Sequence, residues 1–262
     1  MKRYKKTKAS PQSDIVEEQY NRDAARNGRE AEKILTSYIQ NHEDSTAWIA
    51  EDIGLYSYAR TSARHRAGIE KPDIVLSDTK EEKDYGFISL KCCKKFDTAF
   101  NQIKRCSVAS FKEEFDVPEE VIAILKKYTE GKKKLLPGNY SQKELDRLLT
   151  FLTENWRPLL ASAFTGKHKK LQANWLLLHE WTPDWRINVG IKASSKLIYM
   201  QNILKLFNGI EVSYTKRGTI AFGAGVTLQR KGGDKGKDSA NDLQFKLRIK
   251  PLLDTLRNSQ SD

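Results

Sequence analysis

Two short stretches of this chain carry residue types suited to hydrolytic chemistry. Pro72-Asp73 is followed, sixteen residues after the aspartate, by Ser89-Leu90-Lys91. If the runs around them form a hairpin with its midpoint near residue 82, Asp73 lies across from Leu90 and Lys91. Ser89 and Lys91, two apart on one strand, would point to the same face, with the Leu90 carbonyl between them. A hard cation such as Mg2+ takes carboxylate, carbonyl and water oxygens, and a neighbouring ammonium can position or polarise the attacking water. That combination suits phosphodiester hydrolysis. The bland alternative is a surface ion pair on an ordinary hairpin. Glu32 bears on the choice, because it shares a helical stripe with Gly28, Leu35 and Ile39 that should face the sheet, where a carboxylate is costly unless paired or bound to a cation. Its own bland reading is a position at the solvent boundary of that stripe.

The second constellation is Gln229-Arg230-Lys231 followed by Gly232, Gly233, Asp234, Lys235, Gly236 and Lys237. Arg bonds guanine O6 and N7 in a bidentate fork, amides suit adenine best, and glycine lets backbone approach DNA. Gln244 and Lys246 alternate on one face of the last strand, although a charged loop is more often simply solvated. Other signatures fail. Gly223-Ala-Gly225 lacks a dinucleotide fingerprint's third glycine, and Gly236-Lys237 lacks the first glycine of a P-loop. His42, His65, His168 and His179 have no metal-ligand spacing, and Cys92, Cys93 and Cys106 have neither zinc spacing nor an even count for disulfides.

The elements that must position these residues read as one α/β domain with a mixed sheet flanked by helices. Residues 1–13 read as a basic flexible arm, and 14–262 as the folded domain. A helix is expected over Asp14–Asn41 and strands over Asp73–Ser77 and Tyr85–Cys92. A helical middle follows over Ala99–Phe115, Pro118–Tyr128 and Ser141–Phe164. Strands are expected at Trp175–Trp181 and Ile187–Ala193, and a helix at Ser194–Leu206. Glu211–Tyr214, Thr219–Phe222, Val226–Gln229 and Leu243–Ile249 read as the closing strands, so that about 211–250 forms a C-terminal block.

The whole chain has 262 residues, 46 Lys and Arg against 34 Asp and Glu, and a net charge of +12. A basic excess of this size suits a polyanion such as nucleic acid. With ten Phe, ten Tyr and five Trp, the chain can build a core rather than remain disordered. No apolar run approaches the roughly 18 to 20 residues of a membrane span, and no signal-peptide core follows the basic start, so a cytoplasmic protein is expected.

At these residues the chain resembles the HinP/MspI group of type II restriction endonucleases, and within it the GCGC-cutting HinP type. The likeness is strongest in Arg217-Gly-Thr-Ile-Ala-Phe-Gly223, Val226-Thr-Leu-Gln-Arg-Lys-Gly-Gly-Asp234 and Ala240-Asn-Asp-Leu-Gln-Phe-Lys246. It is weaker over Ala25-Arg-Asn-Gly-Arg-Glu-Ala-Glu32, Asp73, Ser89 to Lys91 and Phe100-Asn101-Gln102. The resemblance implies a PD-(D/E)xK nuclease core, Mg2+ as cofactor, and cleavage of both strands of a short palindrome in double-stranded DNA. GCGC or a related CG-containing site is expected, with a partner methyltransferase and either a monomer or a homodimer.

By that resemblance Asp73 is a metal-binding carboxylate, Lys91 the catalytic lysine, Leu90 a carbonyl donor to the metal, and Glu32 a bordering glutamate. Ser89 stands where most members carry Asp or Glu and HinP carries Gln, which leaves Asp73 as the motif's one carboxylate. Phe100 and Gln102 match residues that enter the minor groove, where a Phe wedge unstacks base steps. Gln229, Arg230, Lys231, Gln244 and Lys246 match readers of base edges. The alternatives are a catalytically weak or inactive DNA-binding protein, and a repair or nicking nuclease with the same core.

Overall fold

The computed structural model describes residues 31–40, 43–54, 61–65, 72–78, 80, 83–167, 172–180, 194–232 and 238–259. The expected basic arm (1–13), the expected helix over 14–30, the strand expected at 187–193 and residues 233–237 lie outside these. Two five-stranded sheets are present among the described residues. The first runs β1 (Thr61–His65), β2 (Ile74–Asp78), β3 (Lys83–Cys93), β5 (Trp175–Glu180), β6 (Ser195–Tyr199). It is mixed, because β3 and β5 are parallel while the other neighbours are antiparallel. The second is wholly antiparallel, in the order β4 (Phe100–Cys106), β10 (Leu243–Arg248), β9 (Val226–Arg230), β8 (Ile220–Gly223), β7 (Ser213–Tyr214).

A parallel pair needs a long crossover. Here it contains β4 and four helices: α3 (Val108–Phe115), α4 (Glu119–Thr129), α5 (Gln142–Glu154) and α6 (Trp156–Thr165). α5 begins with a full capping box, in which Ser141 and Glu144 satisfy each other's backbone N–H groups. β5 is buried along nearly its whole length, as a strand covered on both faces must be. Its side chains alternate between two cores. Leu177 joins Ile74, Leu76, Ile88 and Leu90 under helix α1 (31–40) and α2 (Glu43–Asp52). Leu176 and Leu178 join the larger cluster of Phe111, Phe164, Phe207, Phe222 and Phe245, which packs helices α3 to α6 against the second sheet. Among the described residues no helix is long and apolar enough to cross a membrane.

Several elements differ from the expectation. Residues 100–106, expected to be helical, form β4, paired along its length with β10. The helix expected over Ser194–Leu206 is split into β6 and the short α7 (Met200–Lys205), because Ser195 to Tyr199 pair with β5. The expected helix over Ser141–Phe164 breaks at Asn155 into α5 and α6. A last helix, α8 (Ile249–Asn258), follows directly on β10 and buries Ile249, Leu252 and Leu256. Gly223-Ala224-Gly225, rejected as a nucleotide motif, is the β8–β9 turn, with positive φ at all three residues. A Cβ at Gly225 would stand 2.5 Å from the Arg248 carbonyl, so glycine is required there.

Candidate active site

The hairpin of β2 and β3 creates an open edge. The ladder runs from Asp78↔Lys83 to Ile74↔Ile88, and the Asp73 N–H donates to the Ile88 carbonyl at 2.8 Å. Pro72 then removes the next backbone donor and β2 ends. β3 continues to Cys93, paired there only with β5. In a strand, the N–H and C=O of one residue point to the same side, so Leu90 presents both to the edge that β2 has vacated. The Asp73 side chain takes the place of the missing strand: its Oδ2 accepts the Leu90 N–H at 2.6 Å and the Ser89 hydroxyl at 3.3 Å. The register sets Asp73 beside Ser89 rather than Leu90 and Lys91, because Asp78 pairs with Lys83 and so centres the turn ahead of residue 82; the irregularity between Leu76 and Ser77 recovers one residue of that offset. The carboxylate nonetheless reaches Leu90.

Lys91 folds back over this edge. Its Nζ donates to the Leu90 carbonyl at 2.5 Å and to Glu32 Oε1 at 3.3 Å, and lies 3.9 Å from Asp73 Oδ2. Glu32 arrives from α1, whose Ala31, Leu35 and Ile39 are buried against the sheet. The buried stripe of α1 therefore delivers the glutamate to the cluster, with its side chain 27% exposed and that of Lys91 15% exposed. Burial alone would lower the Lys91 pKa, but Asp73 and Glu32 together outweigh it and raise it above the ordinary lysine value. Burial also lifts the Glu32 carboxyl above its usual range, with the nearby Asp73 carboxylate adding to the rise, against the opposing pull of Lys91 and of the Cys92 backbone. Cys92 itself is a buried thiol that burial keeps protonated.

Two carboxylates and a backbone carbonyl thus converge on one cationic nitrogen. These are hard oxygen donors of the kind Mg2+ prefers, and the ammonium among them shows that the spot favours positive charge. Among the described residues no group of three or more His, Cys, Asp and Glu gathers in a metal-binding arrangement, so such an ion would complete its shell with water or phosphate oxygens. His179 lies inside the fold, its Nδ1 2.8 Å from the Ser195 hydroxyl.

The second constellation occupies the second sheet. Gln102 pairs with Lys246 and Lys246 with Thr227, while Gln244 pairs with Gln229 and Arg105. Phe100, Gln102, Gln229, Gln244 and Lys246 therefore share the face opposite Leu228, Phe245 and Leu247. Phe100 is 38% exposed on β4, with Lys246 Nζ 4.4 Å and the Arg248 guanidinium 5.5 Å from its ring centre. Burial lowers the Lys246 pKa. Gln244 is covered, at 4% exposure. Arg230 and Lys231 close β9, the Arg230 N–H held by the Tyr128 hydroxyl at 3.2 Å. By alternation Arg230 belongs with Val226 and Leu228 rather than with Gln229, so the expected readers do not all share one face. Arg248 and Asn101 had no assigned role. Asn101 stands between the two matched residues Phe100 and Gln102, and Arg248 continues the alternation of Gln244 and Lys246; those are the signals that could have found them.

The fold has a relative among solved structures. The crystal structure of the restriction endonuclease MspI in complex with its cognate DNA superposes with a TM-score of 0.55 at 14% identity, covering 87% of this chain and 92% of that one. A glycylpeptide N-tetradecanoyltransferase of Candida glabrata is 28% identical over 126 residues, which are 48% of this chain and about a quarter (27%) of that protein. The family model of the R.HinP1I restriction endonuclease matches residues 75–253, more than half of the sequence, and the chain belongs to that family.

Proposed function

We propose that this chain is a type II restriction endonuclease that cuts both strands of a short palindrome in duplex DNA, GCGC or a related CG-containing sequence, with Mg2+ as cofactor. The observation that carries the reading is the Lys91 ammonium set among Asp73, Glu32 and the Leu90 carbonyl on the open edge of β3. Family membership supports it.

Asp73, Glu32 and the Leu90 carbonyl are the residues that would hold the ion. When bound, a divalent cation supplies Lewis-acid polarisation of the phosphate and a water acidified toward neutral pH. The Leu90 N–H and the Ser89 hydroxyl converge on Asp73 Oδ2 and fix the rotation of that carboxylate. Lys91, with its pKa raised, stays an ammonium at neutral pH. It acts as a hydrogen-bond donor and fixed positive charge that orients the water and offsets charge developing on the phosphate, not as the proton acceptor. Gln229, Arg230, Lys231 and Lys246 read base edges, with Gln244 covered behind them, and Phe100 with Gln102 enters from the minor groove. A cognate methyltransferase protects the host's copies of the site.

Ser89 favours a second reading, a DNA-binding protein with weak or no cleavage, since a hydroxyl replaces the carboxylate or amide of relatives. Digestion of a sequenced plasmid with Mg2+, followed by end mapping, decides. Paired ends at one palindrome are expected. Specific binding without cuts in Mg2+ or Mn2+ would establish the second reading, and cuts without a palindrome would indicate a repair or nicking nuclease.

A further inference from the structure

β4 lies in the second sheet, and its alternation sends Phe100 and Gln102 to one face and Asn101 to the other. The Asn101 side chain crosses to the first sheet, where its Nδ2 donates to the Cys92 carbonyl at 3.3 Å. Cys92 is the residue after Lys91, whose Nζ donates to Glu32 Oε1 at 3.3 Å. Asn101 thus ties the strand carrying Phe100 to the cluster's own strand, one residue beyond Lys91.

The link between the two sheets is braced nearby as well. Within residues 94–99, the Phe96 N–H donates to Glu180 Oε1 at 2.5 Å, on the β5 side. The Ile249 N–H donates to the Ala99 carbonyl at 3.3 Å and Lys250 pairs with Asp97 at 3.6 Å, both on the β10 and α8 side. The connector is therefore tied at each end to a different sheet, and Asn101 is the side chain that ties β4 to the strand of the cluster.

We propose that Asn101 is a positioning residue that couples the DNA-reading face to the cleavage cluster, setting the placement of Lys91 and Glu32 according to how β4 sits on DNA. The inference rests on the nuclease reading above. Without the amide, β4 still presents Phe100 and Gln102, but the Cys92 backbone loses its tether. A displacement of about 1 Å at reacting groups can cost on the order of a hundredfold in rate.

The test uses the full chain and a duplex carrying the wild-type enzyme's mapped cut site. Asn101→Leu and Asn101→Ala remove the donor without adding charge, and Asn101→Gln keeps the amide. Affinity is measured by fluorescence anisotropy in chelator, cleavage by single turnover with enzyme in excess and Mg2+, and folding by thermal denaturation. Expected are affinities within about twofold of wild type, cleavage slowed by ~10- to 100-fold in Leu and Ala, and partial recovery in Gln. Wild-type cleavage rates in either donorless variant overturn the coupling and leave the nuclease reading standing. So does a loss confined to affinity, or one that tracks the melting temperature across all three variants. A wild-type chain that binds but never cuts overturns the nuclease reading itself.

Discussion

The two sheets solve opposite electrostatic problems with the same strand alternation. On the first, the charges answer one another: Lys91 stands between Glu32 and Asp73, and Asp73 in turn replaces a missing strand partner of Leu90. On the second, two cations, Lys246 and Arg248, lean on the ring of Phe100. A cluster of two carboxylates around one ammonium is held in place before any ligand arrives and keeps an excess of negative charge for a cation. A face whose cations rest against an aromatic ring can exchange that contact for phosphate or base at modest cost. Under the proposed function, the first sheet would place the reacting groups and the second would supply affinity and sequence choice.

The severest test of that division is Lys91→Ala. It should slow cleavage by about 10²- to 10³-fold while leaving the affinity for cognate duplex in chelator close to wild type, measured by single turnover and anisotropy. A comparable loss of affinity would erase the distinction between the sheets. His179 offers a test of stability on the first sheet alone. Burial lowers its pKa to about 4, from an unfolded value near 6.5. Between those values the unfolded chain binds the proton and the folded one does not, so stability falls as pH drops through this window, by on the order of 3 kcal/mol. Denaturation of wild type and His179→Asn at pH 4 to 7 should show a slope in the first that is reduced in the second.

What the sequence disclosed follows from physical range. The β2–β3 hairpin and the helix stripe bearing Glu32 were legible because period-two and period-3.6 patterns are local. The hairpin register was not legible because nothing in the polar run between the strands marks that Asp78 pairs with Lys83, which centres the turn ahead of residue 82. β4 was misread as helix because the alternation of Phe100, Gln102 and Lys104 with Asn101 and Ile103 is not a clean polar-apolar one. Its partner β10 lies some 140 residues away, and only that pairing fixes the strand. Asn101 is hidden for a different reason: its contact with Cys92 is only nine residues away in sequence but joins strands of two different sheets, which no spacing announces. The proposed base-reading group comes from the resemblance alone, and alternation divides it, since Arg230 falls on the other parity from Gln229.

That division sharpens the next comparison, within the second sheet. Arg230→Ala should weaken discrimination at one base pair by about 1 to 3 kcal/mol, read as the ratio of cleavage rates on cognate and singly substituted duplexes. Lys246→Ala should weaken discrimination at a different base pair, because its side chain lies on the other face of the sheet from Arg230. Loss of discrimination at the same base pair in both variants would place Arg230 and Lys246 in one reading surface despite their opposite parity.

The smallest effect is expected at Ser89, and its size tests how the first sheet holds Asp73. The Ser89 hydroxyl is buried and donates to Oδ2 at 3.3 Å, but the Leu90 N–H reaches the same oxygen at 2.6 Å and comes from backbone that no substitution removes. Ser89→Ala should therefore cost about 1 kcal/mol or less in the cleavage barrier, no more than a few-fold in single-turnover rate. A loss as large as that of Lys91→Ala would mean that the hydroxyl contacts the ion or the phosphate directly, and that the residue departing from the family pattern has kept a ligand's role.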